Sequence, residues 1–251
     1  MPENEDPSGR ADRTAELSEN LDRVRARIAA AMKLRPAGAV EPTLIVVTKF
    51  HSAADVLLLA GLGVQDIGEN RDQEAAAKAA EVAAAGLSGR ALRWHFIGQL
   101  QTNKARSVVA YAHSVHSVDR PAVVKALSTA VLAEQERSGR VDLECFVQVN
   151  LGPAAAGRGG VEASAVLDLA ALIRQSPGLR LAGVMAVAPL GGNPDEAFAQ
   201  LAGISAVVAR NYPEATAISA GMSGDLEAAI SHGATHLRVG SDVLGARPAL
   251  R

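Results

Sequence analysis

The chain has 251 residues, 48% of them hydrophobic, enough to bury one large core at a length where α/β barrels form single domains. Its 25 lysines and arginines against 27 acids leave a net charge of −2, so no broad cationic surface is offered to a nucleic-acid backbone. The single cysteine, Cys145, excludes an intrachain disulfide and suits a reducing cytoplasm, while the polar, acidic first residues and the lack of a long apolar run argue against export or membrane anchoring.

Residues 1–11 read as a disordered leader, and residues 12–251 as one domain that opens with a helix. In that helix Leu17, Leu21, Val24, Ile28 and Met32 recur at spacings of three and four, an apolar stripe facing a core. It should stop near Arg35, since the residue before Pro36 avoids helical dihedrals. Its Arg- and Glu-rich remainder reads as a solvated face.

Apolar, β-branched runs then appear at 44–49, 64–70, 93–100, 114–119, 143–150, 181–188, 215–222 and 235–241. Alanine-rich segments of helical period separate them, for example 54–63, 73–86, 123–136, 165–175, 196–211 and 224–233. Strands too apolar to keep a wet face imply a parallel sheet covered by helices, which closes as a (β/α)₈ TIM barrel. An open doubly wound sheet is the alternative.

In such barrels the working residues stand at the C-terminal ends of the strands. Those ends carry Lys49, Asn70, Gly98 or Gln99, Asp119, Asn150, Met185, the stretch 219–223 and the stretch 238–241. Lys49 follows a buried strand, where desolvation favours the neutral amine that attacks an aldehyde; standing alone, it reads more simply as a lysine snorkelling to solvent. Small residues after the seventh and eighth strands, Ser223 with Gly224 and Gly240 with Ser241, suit a phosphate cup. Ser223 is placed to cap a helix beginning near Gly224. Arg238 shares a strand face with Gly240 and needs a partner inside the barrel, either a carboxylate such as Glu69 or a ligand. The histidine pairs His113/His116 and His232/His236 lack a third ligand on a shared face, so no metal site is expected.

The stretches VVTK (46–49), DIGENRDQEA (66–75), WHFIGQLQTNKAR (94–106), VHSVD (115–119), QVNLG (148–152), LAGVMAVAP (181–189) and SAGMSGDLEAAISHGATHLRVGSDVLGAR (219–247) resemble, in order, the pyridoxal-phosphate homeostasis protein family. That resemblance implies the barrel of the alanine racemase N-terminal domain, fold type III among proteins of pyridoxal 5′-phosphate (PLP), with an extra N-terminal helix. It implies PLP held as an internal aldimine on Lys49, its phosphate on Ser223, Gly240 and Ser241, and its ring nitrogen facing Arg238. Asn70 and Met222 would line the pocket. Two departures stand out: Gln99 where many relatives carry histidine, and a loop at 152–160 without their charges.

Three functions compete at this point: a cytoplasmic, monomeric PLP carrier serving vitamin B6 homeostasis and PLP-dependent apo-enzymes, a PLP-dependent amino-acid racemase, and a barrel aldolase using Lys49 directly. Racemisation needs an acid/base on each face of the cofactor. Alanine racemases supply one from a second domain that this sequence does not show, so the carrier is expected.

Overall fold

The computed structural model describes residues 7–87, 92–152 and 159–245. The apolar runs become strands β1 (Thr43–Val47), β2 (Asp66–Glu69), β3 (Arg93–Phe96), β4 (Ala112–Val118), β5 (Leu143–Gln148), β6 (Leu179–Met185), β7 (Ala217–Ser219) and β8 (His236–Val239). Each pairs in parallel with the next, and β8 returns to β1 with Leu44 opposite Leu237 and Ile45 opposite Arg238. The sheet is thus a closed barrel, and the doubly wound alternative falls away.

Helices α2 (Ala53–Gly61), α3 (Asp72–Ala84), α4 (Ala105–Tyr111), α5 (Pro121–Ser138), α6 (Val166–Gln175), α7 (Pro194–Asn211) and α8 (Leu226–Ser231) follow the first seven strands, and α9 (Ser241–Leu244) follows the eighth. Helix α4 has no counterpart among the sequence-predicted segments, because its short ARSVVAY stretch is too brief and too β-branched to show a helical period. Among the described residues no helix is long and apolar enough to cross a membrane.

The N-terminal helix α1 (Pro7–Met32) begins inside the stretch expected to be leader, so residues 7–11 are helical; residues 1–6 lie outside the described residues. Its first turns are tied down by Arg13, whose Nε donates to Asp55 Oδ1 at 2.8 Å and whose Nη2 donates to the Leu244 carbonyl at 3.1 Å. The stripe of Leu17, Leu21, Val24 and Ile28 is buried against the barrel, where α1 packs on α8 and α9.

Two interiors of opposite character result. Between strands and helices the core is apolar, with Val46, Ile67, Val115, Val147 and Leu237 packed under Leu59, Leu127 and Leu201. Inside the barrel, where branched aliphatic layers are usual, the apolar cluster shrinks to Phe146, Ala182 and Met185. Apart from Ile45, Val47 and Ile97 near the cavity, that interior carries a polar group: His95, Ser114, His116, Ser219 and Arg238 are all buried and bonded to one another.

Candidate functional site

At the C-terminal mouth of the barrel a cavity of about 260 Å³ is lined by Lys49, Met222, Ser223, Arg238, Gly240 and Ser241, with Val47 and Ile97 at its apolar side. Six of the seven residues expected from the sequence therefore share one cavity. It lies just under the usual span of about 300–1,000 Å³ for ligand pockets, a size for a compact ring compound. The seventh, Asn70, lines a neighbouring cavity of about 540 Å³ with Phe96, Gln99 and Lys104. Its amide oxygen is buried without a hydrogen-bond partner.

Lys49 is half-buried at the end of β1. The wall beneath it is a charge cluster that the sequence reading missed. Lys78 of α3 donates to the Thr48 carbonyl at 2.8 Å and to Glu69 Oε1 at 2.6 Å, and Thr48 Oγ1 donates to the same oxygen at 2.6 Å. Burial raises the Glu69 carboxyl, an effect that Lys78 opposes. After Lys49 the chain turns through Phe50 at φ 70, a left-handed conformation costing a bulky side chain about 1–3 kcal/mol. Glu74 accepts the Phe50 N–H, and the Arg71 guanidinium stacks 4.9 Å over the Phe50 ring. Glu69 inside an apolar strand and Lys78 inside an alanine-rich helix were the available signals.

Arg238 does not pair with Glu69. It is 4% exposed, its Nη1 donates to Ser219 Oγ at 2.7 Å, and its Nη2 donates to the Ala186 carbonyl at 2.9 Å. Burial lowers its guanidinium to about 10, opposed by Asp225, which still leaves it a cation at neutral pH. Glu69 alternates with Asp66 on β2 and shares the outward face of Ile67, where it meets Lys78 of α3, whereas Arg238 points into the barrel.

The phosphate-cup segments also differ from expectation in one detail. Helix α8 starts at Leu226 with Asp225 at its N-cap, and the Met222 N–H donates to Asp225 Oδ1 at 2.6 Å. Ser223 therefore caps no part of α8. Its hydroxyl turns to the other loop, accepting from Ser241 Oγ at 3.1 Å and from the Asp242 N–H at 3.4 Å. Gly240 lets the chain after β8 pass close to β1, since an added Cβ would stand 3.2 Å from the Val47 carbonyl oxygen.

The N-terminal helix braces this cup from behind, which its reading as a plain solvated face did not anticipate. Arg27 Nη2 donates to the Ser223 carbonyl at 2.9 Å, Nη1 to Asp242 Oδ2 at 2.5 Å, and Nε to Glu227 Oε1 at 2.6 Å. One side chain of α1 thus fastens both loops.

The histidine pairs go elsewhere. His113 reaches Glu144 at 3.2 Å, His116 bonds inside the barrel, His232 meets Asp195 at 3.2 Å and His236 bonds Thr235 at 2.8 Å. Among the described residues no group of three or more His, Cys, Asp or Glu is placed to hold a metal. Cys145 is fully buried, and burial pushes its thiol up, so it is no nucleophile. Of the 152–160 loop, residues 153–158 lie outside the described residues; Gly159 returns to accept from Gln148 Nε2 at 2.9 Å.

The family model for the N-terminal domain of alanine racemase matches residues 19–248. The pyridoxal phosphate homeostasis protein of Mycobacterium tuberculosis is 42% identical over 96% of this chain and 97% of its own length. The chain belongs to the pyridoxal phosphate homeostasis protein family. Within that family, the Escherichia coli K12 protein is 33% identical over 92% of this chain. PipY of Synechococcus elongatus PCC7942, solved with PLP bound, superposes with a TM-score of 0.75 at 30% identity, over 91% of this chain and all of PipY. Alanine racemase of Corynebacterium glutamicum shares the fold at 14% identity and a TM-score of 0.66, this chain covering 63% of it.

Proposed function

We propose that this chain binds pyridoxal 5′-phosphate in the cavity at the barrel mouth, holds it covalently through Lys49, and serves PLP homeostasis as a carrier. The observation that carries the reading is the donor set around one small cavity: an amine (Lys49), a buried guanidinium (Arg238) and two hydroxyls (Ser223 and Ser241). Two cations and two hydroxyls fit an anionic aldehyde. The relatives' shared name and the PLP-bound PipY structure support the same ligand.

Bound PLP supplies an aldehyde that captures amines reversibly. Lys49 is the amine of this chain placed to carry it. Ser223, Gly240 and Ser241 hold the phosphate and Met222 covers the ring, while Asn70, in the other cavity, takes no part in this reading. Arg238 donates to the ring nitrogen. A guanidinium there leaves that nitrogen without a proton, so the ring withdraws electrons weakly and the site favours storage over turnover. We infer a cytoplasmic monomer that hands its cargo to PLP-dependent apo-enzymes.

The test uses the purified full chain. It should absorb in the visible range, and borohydride should fix one PLP mass on Lys49. Lys49→Ala should lose the covalent adduct and keep weak binding. A colourless protein with no trappable adduct sinks the reading, and Lys49-dependent racemisation of L-alanine at about 1 per second or faster replaces the carrier with an enzyme.

A further inference from the structure

The polar interior of the barrel is a continuous chain of hydrogen bonds from the ligand cavity to the opposite mouth. Arg238 Nη1 stands 2.7 Å from Ser219 Oγ, and Ser219 Oγ stands 2.8 Å from His116 Nδ1. His116 Nε2 lies 3.0 Å from His95 Nδ1, and His95 Nε2 lies 2.8 Å from Asp66 Oδ1. Ser114 Oγ sits beside the histidine pair, 2.7 Å from His95 Nδ1 and 2.9 Å from His116 Nε2. Asp66 closes the chain in a bidentate pair with Arg93, at 2.7 and 2.6 Å.

The carboxylate end, with both rings neutral, dictates the direction of the bonds back to Ser219. A guanidinium only donates, so Ser219 accepts from Arg238 and keeps one proton to donate and one lone pair to accept with; the His116 tautomer decides which it uses. An ionised carboxylate only accepts. Burial would raise the Asp66 carboxyl, but the hydrogen bonds from His95 and Arg93 outweigh it and hold the group at about 2. His95 therefore donates from Nε2 to Asp66. Burial lowers both histidines, His116 well below its ordinary value, so each ring is neutral and carries one proton. With His95 Nδ1 bare, His116 must present Nε2–H to it, because the other tautomer would set two lone pairs face to face at 3.0 Å; its Nδ1 is then bare and accepts the Ser219 proton.

We propose that Ser219, His116, His95 and Asp66 are positioning residues of the cofactor site, a one-directional hydrogen-bond relay along the barrel axis that holds Arg238 in a single orientation against its ligand. This rests on the PLP reading above and deepens it. Arg238 is a buried cation that donates to a hydroxyl and a carbonyl, both neutral. The relay supplies what a nearby carboxylate would: a polarised chain ending in an anion, with that anion kept far enough from the cavity not to compete for the guanidinium. A nearby carboxylate would also draw the guanidinium off its ligand.

Two measurements test this. Long-range nitrogen–proton NMR correlations of the full chain at neutral pH, with and without PLP, report the tautomer of each ring. His95 and His116 should both be neutral Nε2–H forms. His116 as the Nδ1–H tautomer, or either ring cationic, overturns the relay, and this holds even if the variants fail to fold. The second measurement is PLP binding by Ser219→Ala, which should weaken Kd about tenfold and shift the absorption maximum of the bound cofactor while Lys49 trapping persists. Ser219→Thr, which keeps the hydroxyl, should restore both. A Ser219→Ala protein with the parent's Kd and spectrum overturns the relay and leaves the PLP reading intact. A parent chain that binds no PLP overturns the PLP reading instead, and the relay's role with it.

Discussion

Lys78 and Glu69 form a 2.6 Å ion pair in the buried wall beneath Lys49, at 5% and 1% side-chain exposure. The pair also holds Thr48 by its carbonyl and its hydroxyl, so it anchors the last turn of chain before the lysine. Replacing one partner strands the other in a low-dielectric wall. Lys78→Met should cost about 3–5 kcal/mol, read from denaturant unfolding, because Glu69 is left buried without its counter-ion and must either stay ionised there or take up a proton. Lys78→Met with Glu69→Leu should recover part of that loss. A single variant as stable as the parent would show that the pair contributes nothing.

The Arg27 brace predicts an effect on binding from a helix outside the barrel. Arg27 is 35% exposed, so its ion pairs with Asp242 and Glu227 are partly screened, and its bond to the Ser223 carbonyl matters most. Arg27→Ala should weaken PLP binding a few-fold, roughly 1 kcal/mol, through looser cup loops. Titration of the bound-cofactor absorbance measures it, and an unchanged Kd refutes the coupling.

Ser223 tests the phosphate assignment separately from the ring. A lost hydrogen bond to a charged group costs about 1.5–3 kcal/mol, so Ser223→Ala should weaken PLP by about tenfold or more. Pyridoxal, which lacks the phosphate, should bind both proteins alike. Equal weakening of the two ligands would place the phosphate elsewhere.

Acid should destabilise the fold before ordinary carboxylates titrate. Burial lowers His236 to about 4 from 6.5, and lowers His95 and His116 as well. Below 6.5 the unfolded chain binds protons that the native rings refuse, so stability is full above 6.5 and falls as pH drops from there toward 4. Asp66 adds a further loss as pH falls from 3.8 through about 2. The melting temperature should drop by about 2–4 °C for each kcal/mol lost in a domain of this size. His236→Gln should flatten the curve between 6.5 and 4, and a Tm that rises over that window contradicts the assignment.

The eight strands, the closed sheet and six of the seven pocket residues were legible because each rests on a local signal. Buried parallel strands must be apolar in sequence, and barrel sites must fall at strand ends, so Lys49, Met222, Ser223, Arg238, Gly240 and Ser241 could be placed without contacts. Partnerships were another matter. The sequence offered Glu69 to Arg238 and Ser223 to α8, and both assignments failed: Glu69 faces the helices on the side of the sheet opposite to Arg238, and α8 begins at Leu226, too late for Ser223 to cap it. The polar relay from Arg238 to Asp66 was invisible as well. Its members sit on β2, β3, β4, β7 and β8, and closure of the sheet alone turns them onto one axis. Sequence determines which faces are buried, since burial follows from composition and period. Which buried polar groups satisfy one another depends on distances across the barrel, and those exist only once it has closed.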